Sequence, residues 1–167
     1  MSPAAATKVA PFVQKVLKNF HDAGGFDAHC LSGLKVLNAE NGNIQAQFKV
    51  EKHHLVTFSP INGNRLKSVH GGLLSTVVDI GGSLAIASKG LFATGVSTDL
   101  NITFVSGAKL GQVLDVDAKC VKLGRTLAFT EIDITTEGKV VCQGRHTKFV
   151  TLAYDHPENI LKLDSKK

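Results

Sequence analysis

The sequence predicts an α+β domain in which a curved antiparallel β-sheet wraps one long central helix, with a second helix at the amino end. Residues 71–88 are apolar almost all round and carry one charge, Asp79, as suits a helix buried on most sides. After Gly90 come four strand-like segments joined by short glycine-containing turns, the pattern of an antiparallel meander. A chain of 167 residues is enough for one such domain and buries about two-thirds of its unfolded surface.

Taken in order, residues 1–8 read as a disordered start. Val9, Phe12, Val13, Val16, Leu17 and Phe20 then fall at helical spacing, and this amphipathic helix stops near Gly24-Gly25. Segments 34–39 and 44–50 are short strands joined across Asn41-Gly42, a tight-turn signal. A loop rich in turn formers, 59–64, leads into His70-Gly71-Gly72 and the long helix. Gly81-Gly82 within that helix costs about 1–2 kcal/mol of propensity, which is accounted for if another backbone presses close there. The later strands are 95–105, 113–121, 126–136 and 139–150. In the first of them strict alternation groups Ser97, Asp99, Asn101 and Thr103 on one face. The opposite face, Val96, Leu100, Ile102 and Phe104, should cover the helix. Residues 9–150 form the expected domain, and 151–167 a polar, exposed tail.

Composition excludes several classes. Hydrophobic residues at 43% and charged residues at 20% argue against disorder and low complexity. The net charge of +5 suits an anionic small ligand, while 6% aromatics with no basic stripe among them give no nucleic-acid signature. Cys30, Cys120 and Cys142 form no CxxC and no Cys/His cluster, so neither disulfides nor a metal site is expected. No apolar run is long enough for a membrane span. A cytoplasmic location is expected; residues 1–20, with three Lys and no acid, also leave the mitochondrion open.

Chemistry concentrates on the long helix. Ser75, Asp79 and Ser83 are spaced i, i+4, i+8, with Thr76 three residues before the acid, a polar seam on an apolar rod. A lone acid on a core helix suits a general base; the alternative is an Asp satisfied by the neighbouring hydroxyls or surfacing at an edge. Gly71 and Gly72 leave backbone N–H groups uncovered at the helix start, where an oxyanion or polarised carbonyl can sit. The Gly71 N–H lies about two turns from Asp79, so one substrate could touch both. Lys122, Arg125, Arg145 and Lys148 near strand ends could cradle phosphates or form a solvated face. There is no phosphate-binding loop, nucleophile elbow or metalloprotease motif. No Ser or Cys has an evident base partner.

Four ordered blocks then carry a resemblance: Asn64-x5-His70-Gly71-Gly72-x6-Asp79; Gly95-Val96-Ser97-x-Asp99-x-Asn101-Ile102-Thr103; Leu123-Gly124-Arg125-Thr126-Leu127-Ala128-Phe129-Thr130; and Gln143-Gly144-Arg145-His146-Thr147-Lys148. Over about residues 9–150 the chain resembles hotdog-fold acyl-CoA thioesterases of the PaaI-like group. That resemblance implies hydrolysis of fatty or aryl acyl-CoA to free acid and CoA, without a cofactor. It implies a homodimer joined sheet edge to sheet edge, paired into a homotetramer, with sites at the subunit interface. Asp79 then resembles the carboxylate that activates water, and Ser97 the hydroxyl that orients it, aiding a neighbour's Asp79. Asn64 and the Gly71 N–H resemble the groups at the thioester carbonyl, and His70 the histidine shaping the site. Lys122, Arg125, His146 and Lys148 fall in blocks near the CoA phosphates and nucleotide. The alternatives are an acyl-thioester hydratase or dehydratase, and a non-catalytic acyl-CoA-binding protein. The loop at 58–63 and the tail after Val150 depart from the pattern.

Overall fold

The computed structural model describes residues 3–55 and 68–161. Its strands are β1 (Lys35–Glu40), β2 (Asn43–Lys49), β3 (Val96–Phe104), β4 (Val113–Leu123), β5 (Leu127–Thr136) and β6 (Lys139–Phe149). Its α-helices are α1 (Pro3–Asp22), α2 (Phe26–Cys30) and α3 (Gly71–Ala87). The strands form one antiparallel sheet in the order β1-β2-β4-β5-β6-β3, with α3 against one face, as the apolar pattern predicted.

The last four strands are not a simple meander. β4, β5 and β6 follow one another, but β3 pairs with β6 at the far edge. The helix lies across the sheet. Its 17 residues span about 25 Å at ~1.5 Å per residue, close to the ~24 Å that separates the outer two of six strands. The helix starts beside Phe104 of β3, 3.5 Å from where a Gly71 Cβ would be, and ends at the β1–β2 turn, where Ser88 Oγ accepts from the Gly42 N–H at 2.7 Å; residues 88–95 then lead back to the β3 edge. The chain then returns through residues 105–112 to start β4.

The stripe on α1 docks as expected, with Val9, Phe12, Val13, Val16 and Leu17 buried. The helix starts at Pro3, within the stretch 1–8 expected to be disordered. Pro is favourable at a first helical position, and Ala4-Ala5-Ala6 is strongly helix-forming. The carboxy end also differs from an exposed tail. Residues 151–155 make a 3-10 turn with Ala153 buried. Asn159 Oδ1 accepts from the Phe92 N–H at 2.8 Å, and the Leu161 N–H donates to the Gly90 carbonyl at 3.1 Å. Gly90, at φ 104, leaves room for this return, so residues 160–161 pack against the body of the domain.

Candidate active site

A bulge in the edge strand decides which side chains meet. Ser97 pairs with Lys148, whereas Asp99 pairs with Thr147, so one extra residue, Thr98, is inserted into β3. Directly paired residues point to the same face. Ser97 therefore turns to the helix side with Lys148, while Asp99, Asn101 and Thr103 turn outward with Thr147, Arg145 and Gln143. The grouping of Ser97 with Asp99 under strict alternation fails for this reason. Leu100, Ile102 and Phe104 do lie on the helix side, with Leu100 and Phe104 largely exposed, whereas Val96, expected there too, pairs with Phe149 and turns outward.

On β6 the pleat sends Gly144, His146 and Lys148 inward and Arg145 and Thr147 outward. His146 is 0% and Lys148 5% exposed. Neither stands out toward solution phosphates, as the resemblance had placed them; both turn toward Asp79. His146 Nδ1 and Lys148 Nζ each lie 3.6 Å from Asp79 Oδ1. His146 Nε2 is hydrogen-bonded to Ser97 Oγ at 2.8 Å, and Lys148 Nζ donates to Ser83 Oγ at 2.7 Å. Thr130 Oγ1 donates to the His146 carbonyl at 2.9 Å and fixes that strand beneath the helix.

Gly82 makes this approach possible. A Cβ there would sit 2.6 Å from Thr130 Oγ1 and 2.9 Å from His146 Nδ1. What presses on α3 is thus a pair of side chains rather than a backbone.

Asp79 itself surfaces. Its side chain is 41% exposed and faces a cleft of about 460 Å³ lined by Phe20, Phe26, Ile80, Leu100 and Lys148 among others. The seam hydroxyls do not satisfy it: Ser75 Oγ donates to the Gly71 carbonyl and Thr76 Oγ1 to the Gly72 carbonyl. Its charged partners come from the sheet instead. Burial and the Lys148 ammonium hold His146 below the usual imidazole range, against the pull of Asp79, so it is neutral at pH 7. With Ser97 on Nε2, His146 Nδ1 has no hydrogen bond among the described residues. Burial likewise holds the Lys148 ammonium below the usual lysine range, opposed by Asp79. The result is a water-accessible carboxylate braced by a neutral imidazole and a cation, able to take a proton from water in the cleft.

The helix start is also organised. His70 caps α3, its Nδ1 accepting from the Gly72 N–H at 2.9 Å, which leaves its proton on Nε2. The Gly71 N–H, at the first helical position, has no acceptor inside the helix. But Gly71 and Asp79 are eight residues apart, about 12 Å along the axis, too far for one carbonyl and one water to join them within a chain.

Asn64 lies outside the described residues. Lys122 and Arg125 are exposed near the β4–β5 turn. Lys122 pairs with Phe129 across a second bulge and faces outward, away from Asp79. Tyr154 from the carboxy segment donates to the Gly124 carbonyl at 2.9 Å and steadies that turn. Burial pushes the Cys142 thiol up to about 11 and raises Cys120 too, so neither is a ready thiolate. Among the described residues no group of three or more His, Cys, Asp or Glu could hold a metal.

Sequence reasoning missed the partnership of His146 and Lys148 with Asp79, and that of Ser83 with Lys148. A signal was present: Gln143, Arg145 and Thr147 mark the wet face of β6, so His146 and Lys148 had to point inward. The acid available to them on the apolar helix is Asp79.

The thioesterase superfamily matches this chain over residues 66–143. A putative esterase of Schizosaccharomyces pombe is 43% identical over 162 residues, 96% of each chain. Human acyl-coenzyme A thioesterase 13 is 36% identical over 144 residues, 85% of this chain and 96% of its own. Zebrafish thioesterase superfamily member 2 superposes with a TM-score of 0.70 at 39% identity, covering 82% of this chain and 94% of that one. A hypothetical thioesterase of Streptococcus pneumoniae, solved with coenzyme A, gives 0.67 at 30% identity, covering 80% and 94%. With the same sheet-and-helix architecture and relatives matched over nearly their whole length, the chain belongs to the thioesterase superfamily, on the hotdog fold.

Proposed function

We propose that this protein hydrolyses the thioester of fatty or aryl acyl-CoA to the free acid and CoA. The observation that carries the proposal is the exposed Asp79 carboxylate at the cleft, braced by His146 and Lys148. The names of the human relative and of the coenzyme A-bound neighbour support the substrate class. Asp79 takes a proton from water as the oxygen attacks the carbonyl carbon, and Ser97, held by His146, orients that water. The carbonyl oxygen gains negative charge and is met by the Gly71 N–H and Asn64, with His70 holding the helix start. The intermediate collapses with C–S cleavage; CoA leaves as the thiolate and takes up the proton. A positioned base contributes about 10²–10⁴-fold, and one oxyanion donor about 10²–10³-fold.

The 12 Å between Gly71 and Asp79 calls for a second copy of the chain. β3 is an unpaired edge with Val96, Leu100, Phe104 and Val105 exposed, an arrangement that invites strand pairing. Two copies joined β3 to β3, antiparallel about a two-fold axis, bring the Ser97 end of one strand beside the Phe104 end of the other. The Phe104 ring borders Gly71, lying 3.5 Å from where its Cβ would be. Each Asp79 thereby meets the helix start of the other copy. In contrast to the sequence expectation, Ser97 serves the Asp79 of its own chain. Pairing of two such dimers gives the homotetramer. Lys122 and Arg125 meet the CoA phosphates from the β4–β5 turn.

Release of CoA thiol from a panel of fatty and aryl acyl-CoAs tests the proposal. Turnover well above the spontaneous rate is expected on at least one member. Tight acyl-CoA binding with no turnover on any would instead favour a carrier.

A second route is favoured by the Ser97–His146 hydrogen bond, which supplies the base partner that the sequence had not revealed for any Ser. Ser97 Oγ would attack the thioester, pass its proton to His146 Nε2 and expel the thiolate, leaving an acyl-serine for water to cleave. A burst of thiol release in the first turnover, absent in Ser97→Ala, would establish this route over direct attack by water.

A further inference from the structure

We propose that Lys148 is a positioning residue for Asp79, holding one carboxylate oxygen against the sheet so that the other faces the attacking water. This rests on Asp79 being the base. Lys148 is almost wholly buried, is anchored by Ser83 Oγ at 2.7 Å, and stands 3.6 Å from Asp79 Oδ1. A phosphate ligand needs its ammonium in solution; this one is enclosed under α3. The same Oδ1 also faces His146 Nδ1, so two groups of β6 converge on one oxygen.

The cation is held at a cost. Burial depresses the Lys148 ammonium even with Asp79 beside it, so the carboxylate does not fully offset its desolvation. A buried charge retained without a gain in stability points to a role in the chemistry. The charged and titratable groups around Lys148 are Asp79 on α3 and His146 on β6; Asp99 on β3 acts on His146, and Asp27 of α2 lines the same cleft. None of these is a second cation that could replace it.

The test compares wild type with Lys148→Met, Lys148→Arg, Ser83→Ala and Asp79→Asn, measuring kcat and KM for one acyl-CoA from neutral to alkaline pH. Lys148→Met should lower kcat about tenfold near neutrality with KM within about twofold, and its melting temperature should not fall. Lys148 loses its proton below the ordinary 10.5. Wild-type kcat should therefore decline on the alkaline side as the cation disappears. Lys148→Arg stays charged throughout, so it should keep most of kcat and lose that alkaline decline. Ser83→Ala, which keeps the charge and removes only its anchor, should lower kcat by about twofold to fivefold.

Overturning results are distinct. A several-fold rise in KM with kcat unchanged in Lys148→Met would return Lys148 to the CoA phosphates. Wild-type kcat in both Lys148→Met and Ser83→Ala would remove it from the mechanism. Should Asp79→Asn retain wild-type kcat, the base assignment fails first, and the role of Lys148 with it.

Discussion

The two faces of the sheet treat the same kinds of residue in opposite ways. On the outer face Asn43, Lys119, Glu131, Arg145 and Asn101 stand side by side across the strands, with charges of alternating sign in water. Gln45, Gln47 and Gln143 donate there to Asp117, Asp115 and Asp133. Such exposed cross-strand pairs contribute about 0.2–1 kcal/mol each. On the inner face Lys148, three residues from Arg145, is enclosed beneath α3 beside the half-exposed Asp79, which only partly offsets its desolvation. Net charge and composition say nothing about this difference. It follows from the pleat, which assigns alternate residues of one strand to water or to the helix.

The inner face depends most on Asp79. Asp79→Asn keeps the shape and removes the base, so kcat should fall by about 10²–10⁴-fold with the oligomer intact. Ser97→Ala, which removes only the orienting hydroxyl, should cost about tenfold. Near-normal kcat in Asp79→Asn, with loss in His70→Ala, would move the base to His70 and empty the inner face of its role.

Next comes the β3 edge, where the apolar inner residues reach solvent. Leu100→Asp should convert the oligomer to a monomer of 17.7 kDa in light scattering. It should also lower kcat by about 10²-fold, because the Gly71 N–H of the second copy is lost. A fully active monomer would refute the shared site.

A smaller effect is expected on the outer side. Lys122→Ala and Arg125→Ala should raise KM for acyl-CoA several-fold and weaken its salt dependence, with kcat little changed. Unchanged KM in both would class them with Arg145 as solvated charges.

The smallest effect is on stability. His146 is held below 6.5 in the folded state, so as pH falls through that value the unfolded chain takes up a proton the folded one resists. Stability present above about pH 6.5 should therefore decline under acid, and His146→Gln should flatten the decline. An identical pH profile of melting temperature in wild type and variant would show that His146 carries no such linkage.

Much of the site was legible because its signals are local. Asp79 is the one charge of α3, and His70-Gly71-Gly72 announces the helix start within three residues. The wet and dry faces of β6 can be counted along the strand. The bulge at Thr98 could not be read, because an inserted residue leaves no mark in composition and its effect appears only against a partner strand. Hence Ser97 was placed on the wrong face, and its bond to His146 went unseen.

By itself, then, the sequence determined the α1 stripe, the long apolar helix, the Asn41-Gly42 turn with both residues at positive φ, and the lone acid among hydroxyls. Period and turn chemistry act over a few residues, so they survive without a fold. Only the tertiary structure decided that β3 lies at the far edge, that β6 brings His146 and Lys148 to Asp79, and that residues 160–161 dock on Gly90. Each depends on partners far apart in the chain, chosen by how α3 crosses the sheet and which strand edges remain open, and no local pattern encodes that choice.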